Sequence, residues 1–391
     1  MDADGQRKRF WHPPLWKWAA FLALMACSAF LFLRKQPLIP PKVELLPYSD
    51  TPPVWYGSHP FMVISSVAGS SPAKFSASVA LIKPTVRHDA PVNEFEVDLH
   101  TGRFILRQTD LFVADVMPLS LTRTYITWDY HSRAFGVAGS HPYDVCPTGS
   151  RFPYTYSDLN LEDGEQIHFP RISKGTGYAD DVSRHSDTAS EFYGAMFAWN
   201  GNGWTLDFRD GSKFIFPESY HAKNFAQGAA TEMRDAEGHR IQLRRSAVRN
   251  LDELISPGGH TITFKYDSAD RIVEAADDAG HVRKYAYDNG GHLSTVSDGS
   301  KVLNSFEYQR LMNEAGYDPW LLTAVLDGQW NVILRNKYLW GRVSEQRLAN
   351  GEVYRYEYQL DGREVIRTTV TLPSGQKKTF LFRNGMLIEQ K

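Results

Sequence analysis

The chain has 391 residues, enough for two or three domains or for one domain and an extended array. Its 43 basic and 45 acidic side chains leave a formal charge of −2, with no like-charged block, so no electrostatic footprint for nucleic acid is present. Aromatic residues make up 13%, which suits pleated, half-buried strands better than helical bundles, and the two cysteines offer no zinc spacing.

Taken in chain order, residues 1–14 carry Arg7, Lys8 and Arg9 and read as a cytoplasmic N-terminus. Residues 15–34 contain the uncharged run Trp18–Leu33 and predict a transmembrane signal-anchor, with Lys17 snorkelling and the tryptophans at the interface. The expected location is the cell membrane, single-pass, with everything after the anchor outside the cytoplasm. Two alternatives stay open: a cleaved signal peptide with small residues near Ala26–Ala29, and a lipoprotein signal at Cys27. Cys27 and Cys146 sit in different environments, so no disulfide between them is expected.

Residues 35–60 hold seven prolines, from Pro37 to Pro60, and predict a semi-rigid extended linker. Residues 61–91 include two strand-like stretches broken by Ser, Gly and Pro, and their assignment stays open. Residues 92–234 predict a β-rich domain, with runs such as Phe104–Leu106 and Leu119–Tyr125. From Asp163-Gly164 to Asn384-Gly385, ten Asp-Gly or Asn-Gly pairs punctuate the chain, the strongest short-range signal for tight hairpins.

Residues 235–391 predict a repeat array. Its turn glycines are Gly238, Gly259, Gly280, Gly299, Gly328, Gly351 and Gly375, spaced 21, 21, 19, 29, 23 and 24 residues apart. A unit of this length fits two strands and two turns, and cannot bury its apolar face alone. Strands such as Thr261–Tyr266 and Glu352–Tyr358 alternate, so one face is buried. The expected fold class is all-β: an antiparallel hairpin array, curved and open rather than closed, behind a β-rich entry domain. Its last strand is expected either as an exposed edge or paired with another chain, with Lys377, Lys378 and Arg383 as charge guards.

Tyr266-Asp267 followed by Arg271-Ile272, and Tyr287-Asp288 followed by His292-Leu293, are two copies of one pattern. Tyr338 with Gly341-Arg342-Val343, and Tyr358 with Gly362-Arg363, are copies that have lost the aspartate. In these residues the chain resembles the Rhs/YD-repeat family. Upstream, Thr101-Gly102, Thr109-Asp110-Leu111, Pro118-Leu119 through Arg123 and Tyr125, Phe135-Gly136 and Trp204–Phe216 resemble the domain that precedes the repeats in such proteins. The resemblance covers about residues 92–391. It implies large exported proteins of bacterial competition, whose repeats coil into a hollow β shell around a C-terminal toxin. This array is short, and no toxin domain follows it in the resemblance.

No metalloprotease, serine-hydrolase or nucleotide-binding motif is present, and no catalytic residue, cofactor or metal is assigned. Asp267 and Asp288 are expected to cap their own turns, and the repeat tyrosines to pack across strands. His239, His260 and His281 recur every 21 residues behind turn glycines, but no recognised ligand spacing accompanies them. The leading expectation is a membrane-anchored, exported, non-catalytic scaffold or binding module of an Rhs-type toxin system. Its partners would be the membrane and another Rhs-type chain or toxin segment at the open sheet edge. The alternatives are a surface carbohydrate-binding or adhesion module using an aromatic face of Tyr266, Tyr287, Tyr338 and Tyr358, and an enzyme whose site is assembled from distant loops.

Overall fold

A computed structural model describes residues 95–391 except 189, 220–224, 249, 312–318 and 384. The expected anchor (15–34), linker (35–60) and the open stretch 61–91 lie outside the described residues. No described helix is long and apolar enough to cross a membrane. The described residues are all-β, apart from two 3-10 turns at Pro142–Asp144 and Phe225–Gly228.

The entry region opens with a four-stranded sheet of Glu96–Val97, Phe104–Val113, Leu119–Ile126 and Gly139–Ser140, in that order. A three-stranded sheet of Cys146–Gly149, Tyr156–Asn160 and Gln166–Pro170 follows. The chain then enters one antiparallel sheet of nineteen described strands, from Val182–Arg184 to Met386–Gln390, in which every strand pairs with its sequence neighbours. The first and last of these strands do not pair with each other, so the sheet is open.

The sheet begins well before the repeat pattern does. Glu232–Arg234 and Arg240–Arg245 pair directly, so hydrogen bonding runs without a break across the expected boundary at 234/235. The leading edge is covered by the chain itself, through the Arg171–Ser183 bridge and the Ile172 N–H donating to the Val182 carbonyl. Met386–Gln390 has one described neighbour, Lys377–Arg383.

Strand alternation sets the buried face. Ile262 and Phe264 point inward from Thr261–Tyr266, and Tyr354 and Tyr356 from Val353–Asp361. That face is covered by the entry region. Leu99, Phe104, Leu121, Phe135 and Tyr143 join Ile272, Val296, Leu322, Val343 and Val370 in one apolar core. Polar bonds fix the docking along the sheet: Ile272 N–H to Ala134 O, Val137 N–H to Gly291 O, Val343 N–H to Gly102 O, and the Thr368 hydroxyl to Leu99 O. One domain therefore spans strands from Ile272–Asp277 to Glu364–Thr371, which gives each repeat the burial it cannot supply alone.

Six of the seven expected turn glycines (Gly238, Gly259, Gly280, Gly299, Gly351 and Gly375) have left-handed φ. Gly328 does not. In that turn Trp330 is left-handed at φ 68°, and Gly328 is required because a Cβ there would lie 2.1 Å from the Val302 carbonyl oxygen.

Candidate functional site

The repeat chemistry is a staircase of five tyrosines. Each hydroxyl donates to a backbone carbonyl on the preceding strand: Tyr266 to Leu251 (2.9 Å), Tyr287 to Ile272 (2.5 Å), Tyr308 to Leu293 (3.0 Å), Tyr338 to Leu322 (2.7 Å) and Tyr358 to Val343 (2.9 Å). The register explains the geometry. Tyr266 pairs with Ile272, Tyr287 with Leu293, Tyr308 with Leu322 and Tyr338 with Val343, each beside a bulge. Each later tyrosine thus reaches the carbonyl of the residue paired with the tyrosine before it. Burial, the largest cause, lifts the phenols of Tyr266, Tyr287, Tyr308 and Tyr338 above their ordinary range, so they stay neutral donors. All five rings are half-buried and packed on the core.

Four of these tyrosines are the ones expected to form a binding face, and the structure commits their hydroxyls to the backbone. Tyr308 lies outside the pattern, because it is followed neither by aspartate nor by the Gly-Arg pair that marks the Tyr338 and Tyr358 copies. Its signal is its place 21 residues after Tyr287.

The aspartates close turns. Asp267 Oδ1 accepts from the N–H of Ala269 and Arg271, and its other oxygen from Arg271 Nε. Asp288 Oδ1 accepts from the N–H of Gly290 and His292. The opposite rim uses the same device four residues apart: Asp235 with His239, Asp277 with His281, and Asp327 with Asn331.

The rim histidines are engaged in the same way. His239 Nδ1 lies 2.7 Å from Asp235, His281 Nδ1 2.8 Å from Asp277, and His260 Nδ1 2.7 Å from Asp278. Successive rim histidines are two strands apart, about 10 Å at ordinary strand spacing, too far to share an ion. Ligand atoms of Asp235, Glu237 and His239 do lie within 4.8 Å of one another, on an exposed turn where Asp235 already caps His239.

A buried charged group joins the two regions. Arg123 Nε donates to Asp110 (2.5 Å), and its Nη2 donates to Gln108 and to the second Asp110 oxygen. Tyr285 OH donates to the same Asp110 at 2.9 Å. Burial opposes the Arg123 charge, but Asp110 more than offsets it and holds the guanidinium ionised. A small cleft beside it is lined by Leu106, Arg123, Phe135, Phe306 and Tyr308.

A second titratable cluster lies in the turn between Tyr156–Asn160 and Gln166–Pro170. Burial, then the Asp163 charge, raises Glu162 to about 7 and Glu165 to about 8. Arg107 pairs with Asp163 at 3.1 Å beside them, and with Glu96. Asp180 and Asp181, adjacent in sequence, both turn to Arg171.

Comparison with known families places two matches on this framework. The domain of unknown function DUF6531, which is found before Rhs repeats, matches residues 95–169, and the RHS Repeat model matches residues 266–302. No curated protein matches the chain. Among solved structures, the TcdB2-TccC3-Cdc42 crystal structure is 12% identical with a TM-score of 0.27, over 71% of this chain and 19% of that one. The Photorhabdus luminescens Tc holotoxin pore is 8% identical with a TM-score of 0.20, over 75% of this chain and 23% of that one. The chain therefore spans about a fifth of the length of each of these two structures.

Proposed function

From the premise that this is an Rhs-repeat chain whose repeat follows a DUF6531 domain, we propose that it is a non-catalytic scaffold of an Rhs-type toxin system. The observation that carries the reading is the commitment of the repeat side chains. The tyrosine hydroxyls bond strand backbone, the turn aspartates bond their own loops, and the buried face packs on the chain's own entry domain. Such a sheet presents backbone and shape rather than reactive groups.

Its working surface is the trailing edge. The leading edge is covered by the Arg171–Ser183 bridge, whereas Met386–Gln390 has a strand on one side only among the described residues. Lys391 and Thr379 exchange both backbone bonds, so the amide of Gln390, in the next pair, points away from the sheet. An edge of this kind takes a strand by β-augmentation, and the partner is a strand of another Rhs-type chain. The apolar run at 15–34 would hold the assembly on the membrane, with the sheet on the far side.

A photo-crosslinking residue in place of Ile388, in the full chain in cells, is expected to join it to a second polypeptide of the toxin system. Crosslinks only between copies of this chain, or none, would overturn the reading. For the anchor, protease added to intact cells is expected to release the β region. Full protection would place the sheet inside the cell.

A further inference from the structure

Away from the repeats, five aromatic rings meet near the leading edge. Tyr154 stacks on Trp204 (6.0 Å, 29°), Trp204 meets Trp199 at 76°, Trp199 meets Tyr178 at 76°, and Tyr178 returns to Tyr154 at 6.2 Å. The four form a closed circuit, and Phe152 joins it through Tyr154 (5.9 Å, 77°). Tyr154 and Trp204 are buried, Trp199 is half-buried, and Phe152 and Tyr178 are 70% and 47% exposed.

Two features separate this cluster from ordinary packing. Phe152 has a φ of 55°, a genuine outlier for a bulky residue, and its ring gains little burial in exchange. The polar tips of the outer rings are also unused. Among the described residues, neither the Tyr178 hydroxyl nor the Trp199 indole N–H has a hydrogen-bond partner, whereas every repeat tyrosine hydroxyl has one. The exposed side chain of Asn202, in the turn between the two tryptophan strands, is likewise without one.

The support beneath is rigid. Arg171, buried under the loop that carries Tyr178, donates to the carbonyls of Tyr154 (3.1 Å), Ser173 (3.2 Å), Lys174 (3.1 Å), Gly177 (2.8 Å) and Asp180 (2.9 Å). The Tyr154 N–H donates to Thr176 O. Ring positions are thus set before any ligand arrives, which lowers the entropy cost of binding.

We propose that this cluster is a binding platform for an uncharged sugar. Perpendicular rings offer faces for pyranose C–H groups, and the free O–H, indole N–H and amide lie at their margin for the hydroxyls. Nearby charges are already paired, Arg171 with Asp180 and Asp181, and Arg151 with Glu218, which disfavours an ionic ligand. Size separates a sugar from a protein partner. At ~150–250 Å² per aromatic side chain, Phe152 and Tyr178 together expose on the order of 200 Å², against ~800 Å² per partner in a standard protein interface. The inference is independent of the scaffold reading and of its trailing edge.

The test is titration of the full chain with cellotriose, maltotriose and triacetylchitotriose, followed by calorimetry and tryptophan emission. Saturable binding to at least one is expected. Tyr178→Ala should weaken it at least tenfold, Tyr178→Phe and Phe152→Ala several-fold, and Tyr287→Phe not at all. No saturable binding to any of the three would overturn the proposal. So would affinity unchanged in both Phe152→Ala and Tyr178→Phe, two substitutions mild enough to leave the fold intact.

Discussion

The middle and the rear of the sheet solve the same problem with different turns. After Tyr266 and Tyr287 the hairpins close through five residues, Asp267–Arg271 and Asp288–His292, each organised by its aspartate. After Tyr338 and Tyr358 they close through two. Leu339 pairs with Arg342 around Trp340-Gly341, both left-handed, and Asp361 pairs with Glu364 around Gly362-Arg363. The tyrosine bond to the preceding strand is the same in all four. Tyrosine is therefore the architectural constant of the unit, and aspartate belongs to one way of turning. A unit that turns in two residues, with a primed or glycine-led turn, has no loop amides to cap.

The largest test of this division is removal of the constant. Tyr287→Ala in the middle and Tyr358→Ala at the rear should each cost about 3 kcal/mol, as truncations of core-packed aromatic rings. Urea unfolding of the two variants should agree within about 1 kcal/mol. A rear variant much milder than the middle one would mean that the tyrosine bond matters only where aspartate accompanies it. Next in size is the turn itself. Asp288→Ala strips the acceptor from two amides and should cost about 1–2 kcal/mol, in the range of lost helix and turn caps. Leu339→Ala, at the corresponding place after Tyr338, should stay within about 0.5 kcal/mol, because Leu339 is exposed. Smaller again, Tyr287→Phe and Tyr358→Phe should each lose about 1 kcal/mol, the net worth of one hydrogen bond, and to the same extent in both regions.

Much of this was legible in the sequence. Alternation in Thr261–Tyr266 and the Asp-Gly and Asn-Gly pairs specify antiparallel hairpins because side-chain direction and left-handed turns are local properties. Features built from distant residues were not legible. The Arg123–Asp110–Tyr285 cluster joins positions up to 175 residues apart, and nothing near Tyr285 announces it. Trp330 in the left-handed position of its turn breaks the expectation that Gly328 would hold it. The change of pattern near residue 235 is real in composition but absent from the hydrogen bonding, since a strand needs only backbone groups to extend a sheet. The ring cluster of Tyr154, Tyr178, Trp199 and Trp204 has no periodicity at all. It forms where two hairpins and a loop meet.

Acid gives the smallest effect and the sharpest separation between the regions. Hydrogen bonds hold several turn carboxyls of the aspartate-closed hairpins below the usual carboxylate range. Asp298 accepts from the N–H of Lys301, Asp327 from the side chain of Asn331, and Asp278 pairs with His260. Burial works against Asp267, but its bonds to Arg271 outweigh it and leave that carboxyl depressed as well. A depressed folded-state value means the stabilisation is complete above the unfolded value, near 4, and is lost as pH falls through the folded one. The rear turns at Trp340-Gly341 and Gly362-Arg363 are closed by backbone geometry rather than by a capping carboxylate. The entry region has the opposite sign. Glu162 and Glu165, raised to about 7 and about 8, favour folding when protonated, so that turn should weaken as pH rises from about 5 through 8. Amide exchange at pH 7 and then near pH 3, corrected for intrinsic rates, should show loops 267–271, 298–301 and 327–331 losing protection while 339–342 and 361–364 keep theirs. The entry turn should gain protection over the same interval, and Glu165→Gln should flatten that gain. Equal losses in middle and rear turns would show that the carboxylates are incidental to how the middle hairpins close.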